Sequence, residues 1–166
     1  KLQKPKLASI LNECLALHKS EALLLVRSEK VAAFHSGDER DYSILPIDEL
    51  MTAMSEKLNE RFPGNIFSQG YADHSLATAS WSFPAQRDEL LETYDKALVA
   101  HGQKHLASKF TPGVRFTTSD VGVAAATVSA MLTGGQYPIR IGNVVSVHHR
   151  RQSKVQDFDF SLDMLF

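Results

Sequence analysis

The sequence predicts an α+β fold: a single domain with a largely antiparallel sheet and about three helices packed on it. Three observations carry that expectation. Segments with a helical apolar period alternate with pairs of short apolar runs, and few stretches are long enough for parallel crossovers. Beyond Pro112 and Gly113 the composition turns to β-branched and small residues. The length of 166 residues, with 43% apolar and 22% charged, suits one core without disulfides or metals.

The elements follow in order. Leu7, Ile10, Leu11, Cys14 and Leu17 recur at three- and four-residue spacing, which predicts an amphipathic helix ending near His18 to Ser20, with Cys14 on its buried stripe. Ala22 to Arg27 and Val31 to His35 read as a hairpin. Pro46 to Phe62 sets Leu50, Met54 and Leu58 four apart with Asp48 and Glu49 in the first turn, a second helix that Pro63 and Gly64 stop. Ile66 to Asp73 and Leu76 to Phe83 form a second hairpin. In its second strand Ala77, Ala79, Trp81 and Phe83 alternate with polar residues, so Trp81 faces the core.

A third helix starts near Pro84 on a stripe of Leu90, Leu91, Tyr94, Ala97, Leu98 and His101, with Gly102 interrupting it. Three strands follow at Val114 to Thr118, Val121 to Leu132 and Ile139 to Val147, although the alanine run at 124–126 also suits a helix. Gly134 and Gly135 make a hairpin turn. Finally Phe158, Phe160, Leu162 and Met164 alternate with Asp157, Asp159, Ser161 and Asp163, which predicts a half-buried strand.

No window approaches the roughly 18 consecutive apolar residues of a membrane span. The single cysteine, Cys14, forms no internal disulfide and no secretory segment opens the chain, so the cytoplasm is the expected compartment. The absence of a starting Met, and the apolar end at Met164, Leu165 and Phe166, lead us to expect chain missing at one or both ends.

The net charge of -1 conceals segregation. Residues 96–156 hold eight Lys or Arg and one carboxylate, Asp120, a balance of +7; the remainder carries ten basic and eighteen acidic residues, a balance of -8. Such asymmetry points to a polyanionic partner or an oppositely charged surface.

Arg115-Phe-Thr-Thr-Ser-Asp-Val-Gly122 is followed by small residues, by Gly134-Gly135, by Ile139-Arg-Ile-Gly142 and by His148. With Tyr42 to Leu50 and Ala79 to Pro84, this pattern resembles a phage- and plasmid-associated family of unknown function. The resemblance implies a bacterial or phage mobile-element setting and brings no established activity, cofactor or functional residues.

Among residues that carry chemistry, His101 and His105 have the i, i+4 spacing of two metal ligands on a helix, but no Glu lies between them and no third ligand follows from spacing, so no metal or other cofactor is assigned. Ser119 and Asp120 suit a turn between strands, and Asp120 with a histidine such as His148 is the basis for a hydrolase alternative. Gly134-Gly135 lacks the Lys-Ser/Thr pair of a phosphate-binding loop. The leading candidates are Arg140, His148, Arg150, Arg151 and Lys154, a set suited to nucleic-acid phosphates. A continuing strand would split His148 and Arg150 from His149 and Arg151, whereas a loop would unite them. The expected function is nucleic-acid binding without catalysis. The competing binding reading is a homo-oligomer in which basic strands of one copy meet the acidic half of another and the 157–164 strand pairs across the interface.

Overall fold

Apolar side chains at four-residue spacing fix the helix on which the rest of the fold is assembled. In the computed structural model, which describes residues 23–27, 30–35, 43, 45–73, 76–119, 124–149 and 153–166, with backbone alone for the first two segments, α1 spans Ile47–Arg61 and buries Leu50, Met54 and Leu58 completely. Pro46 stands at its start in extended conformation. At its end the Leu58 carbonyl accepts from the Phe62 backbone N–H, and the Asn65 side chain donates to both the Leu58 and the Phe62 carbonyls. Gly64 takes the left-handed φ of 81° that turns the chain away.

The remaining elements are β1 (Leu23–Arg27), β2 (Lys30–His35), β3 (Ile66–Ala72), β4 (Ala77–Ser82), α2 (Arg87–Ala100), β5 (Thr111–Thr118), β6 (Ala126–Thr133), β7 (Ile139–Val147) and α3 (Val155–Leu165). Strands β1 and β2 pair as a separate antiparallel hairpin. Strands β3 to β7 form one five-stranded sheet in chain order, every pair antiparallel. The fold is therefore α+β, with both expected hairpins present and the alanine run resolved as strand from Ala126. The helix expected at 7–20 lies outside the described residues.

The core lies between the sheet and the layer of α1 and α3. Ala79 and Trp81 of β4, Val114 and Phe116 of β5, Ala126 and Val128 of β6 and Val145 of β7 meet Leu50, Met54, Leu58, Phe158 and Leu162 there. The Phe116 and Phe158 rings lie 5.5 Å apart between centroids. Gly113 lets β4 and β5 approach closely, since a methyl group at this position would run into the Trp81 carbonyl. Helix α2 packs at the end of the sheet through Leu91, against Phe110 and Leu132. The Arg87 guanidinium secures it, with Nε 3.0 Å from the Phe110 carbonyl and Nη2 2.6 Å from Asp95.

Two expectations are corrected. The segment from Asp157 to Met164 is helix, not strand. Its alternation is real, but Val155, Phe158, Leu162 and Leu165 also repeat at helical spacing, and this stripe is the one the core takes. Phe158 and Leu162 are fully buried, whereas Phe160 and Met164 are 67% and 74% exposed. The Asp157 carboxylate starts the helix by accepting from the Lys154 backbone N–H at 2.6 Å. The cross-interface strand pairing expected of this segment falls with that correction. Nor do His101 and His105 share a helix face: α2 ends at Ala100, Gly102 takes a φ of 74°, and both imidazoles are exposed. On α2 the expected apolar stripe is covered only lightly, with Leu91 alone buried and Leu90 45% exposed.

Strand β7 is an edge with two bulges. Its register against β6 slips twice, so Val144 and Ile141 are surplus residues facing no partner. Arg140 and Asn143 are three residues apart and would point to opposite faces of a regular strand. The slip at Ile141 puts both on the same face.

Candidate nucleic-acid interface

Since α1 and α3 cover one face of the sheet, the alternate residues of each strand emerge on the other. The cross-strand register arranges these into rows. One row runs Tyr71, Thr78, Thr117, Thr127, Ser146, and the next Gln69, Ser80, Arg115, Ser129, Asn143. Hydroxyls dominate this face. Strands β3 to β7 hold no Asp, Glu or Lys, and their only charged residues, Arg115 and Arg140, both project here.

Around Ser129 the geometry is specific. Its hydroxyl donates to Asn143 Oδ1 at 2.7 Å, and Arg140 Nη2 donates to the same hydroxyl oxygen at 2.8 Å and to Asn143 Oδ1 at 3.4 Å. The arginine side chain therefore lies back over β6, and Ser129 is only 1% exposed. Arg115 pairs with Ser129 in register from the other side, one strand spacing of about 4.8 Å away. It is half-buried and, among the described residues, has no ion-pair or hydrogen-bond partner. The two guanidinium groups thus flank one serine, with no carboxylate on their strands to neutralise them.

The five residues expected to bind phosphate do not form one described group. Arg140 belongs to the site at Ser129. His148 is exposed just past the other end of β7, roughly 20 Å along the sheet once the two bulges are allowed for. Lys154 is exposed at the start of α3, where the Asp157 carboxylate sits against its backbone. Arg150 and Arg151 lie outside the described residues. The flanks of this segment are tied to one point: His149 Nδ1 is 3.0 Å from the Ser43 carbonyl, and the Ser43 hydroxyl donates to the Ser153 carbonyl at 2.6 Å. His149 therefore braces the chain. Burial lowers its pKa below the ordinary histidine value, an effect that hydrogen bonds to the Ser43 and Ala124 backbone only partly offset and that His148 reinforces.

The residues named for other chemistry are dispersed. Ser119 is fully buried at the end of β5, and Asp120, the acid of the hydrolase alternative, lies outside the described residues. No group of three His, Cys, Asp or Glu among the described residues is arranged to hold a metal. An open cleft of about 360 Å³ between α1 and α3 is lined by Asp48, Glu49, Glu56 and Asp159, a setting that repels anions. The whole α1 and α3 layer carries seven carboxylates against Lys57 and Arg61. No described helix is long and apolar enough to cross a membrane.

Arg115 is the site residue that the charge pattern alone did not single out. Its signal was present in the alternation of Val114, Arg115, Phe116: two core residues bracket a cation that must face away from them. In comparisons with known proteins, the chain matches no family model, no curated protein and no solved structure.

Proposed function

We propose that this chain is a non-catalytic, nucleic-acid-associated binding protein of a phage, plasmid or integrated mobile element, and that it meets the sugar-phosphate backbone with the sheet face opposite α1 and α3. The observation that carries the reading is the charge of that face: five strands without a carboxylate, displaying hydroxyls and two arginines, behind which lies an acidic helix layer. Guanidinium and hydroxyl donors suit phosphate oxygens. The acidic layer disfavours approach of a polyanion from the opposite side. His148, Lys154, Arg150 and Arg151 supply a second set of cations on the connection between β7 and α3.

Fluorescence anisotropy with labelled single- and double-stranded DNA and RNA tests this. The expected result is binding that weakens steeply between low and moderate salt, as release of counterions requires, and that weakens further in an Arg150→Ala/Arg151→Ala variant. Absence of binding at low salt, or binding indifferent to salt, overturns it.

A further inference from the structure

Resting on that reading, we infer that Arg115 and Arg140 together hold a single backbone phosphate of the nucleic acid above Ser129, and that this grip is independent of base sequence. The argument begins with preparation. An exposed arginine ordinarily loses much rotamer freedom on binding, but Arg140 is already held by Ser129 and Asn143 through Nη2 alone, so its Nε and Nη1 donors remain for a ligand. Asn143 shares this face with Arg140 and Ser146 because β7 is bulged on both sides of it, at Ile141 and at Val144, and its amide oxygen is committed to Ser129 and Arg140. Arg115 approaches from β5 with no competing partner among the described residues. Two guanidinium forks over one buried hydroxyl match the oxygens of a phosphodiester. The neighbouring groups are mainly the hydroxyls of Ser80, Thr117 and Thr127, with Met131 paired to Arg140 and the Asn143 amide oxygen already used, so the grip rests on the backbone.

The test uses the full chain with labelled homopolymeric and mixed-sequence single-stranded oligonucleotides, comparing Arg115→Gln, Arg140→Gln, the double variant and Arg140→Lys. Thermal melting confirms that each variant folds. Each single Gln variant is expected to weaken binding about tenfold on every sequence and to reduce the salt slope by about one. The double variant should lose less than the product of the two, as residues sharing one ligand do. Arg140→Lys, which keeps the charge but not the fork, should fall between the parent and the Gln variant.

Unchanged affinity in either Gln variant, while the parent binds, overturns the phosphate site and leaves the wider nucleic-acid reading standing. Losses that multiply overturn a shared phosphate, and losses confined to one sequence overturn the backbone grip. A parent that binds no oligonucleotide at low salt removes the reading on which the site rests.

Discussion

His149 shows how a titratable residue among cations comes to serve stability. Its ring is half-buried, reaches the Ser43 carbonyl, and has a lowered pKa because burial disfavours the imidazolium. The unfolded chain, with an ordinary value of 6.5, therefore takes up protons that the folded chain refuses. Stability is full above that pH and declines as the pH falls through it. Melting curves across this window should show the parent losing stability toward acid, with a flatter profile in His149→Gln; identical slopes would dissociate the imidazole from the effect. Gly113 offers a second test at this scale. A methyl there meets the Trp81 backbone, so Gly113→Ala should cost about 1–3 kcal/mol in urea unfolding, despite replacing a residue of poor strand propensity.

At the scale of elements, α3 discriminates between two periods written in the same residues. Phe158→Ala and Leu162→Ala should each cost about 2–5 kcal/mol through lost burial and cavity formation. Phe160→Ala and Met164→Ala should stay within roughly 0.5 kcal/mol, a contrast that a half-buried strand would not produce. The sequence misleads here because Phe158 and Leu162 satisfy alternation and helical spacing alike; the deciding residues, Val155 and Leu165, lie at the margins of the alternating run. Elsewhere one period excludes the other. Thr52 and Glu56 interrupt any alternation through Leu50, Met54 and Leu58, and Ala77 to Phe83 has no reading as an amphipathic helix, so α1 and β4 were legible directly. The candidate site was half legible: Arg140 stood out by charge, but its union with Ser129 and Asn143 depends on bulges that no local pattern announces, and Arg115 gains its meaning only when β5 is placed beside β6.

At the scale of the whole molecule, the described residues differ in charge between the two sides of the five-stranded sheet. Carboxylates gather on α1 and α3, and the sheet's two charged residues, Arg115 and Arg140, stand on its far face. A molecule polarised in this way is oriented by the field of a polyanion before contact. Neutralising the outer carboxylates, as in Asp48→Asn/Glu49→Gln, should raise the association rate with DNA about twofold at low salt and leave it unchanged at high salt; stopped-flow measurements at two ionic strengths separate these cases. The double bulge of β7 also acts at this scale. An unbroken edge strand offers a row of amides and carbonyls to which another copy can attach, but the surplus Ile141 and Val144 interrupt that row twice. On the proposed reading, copies arriving on a long nucleic acid should consequently not zip into a shared sheet through this edge.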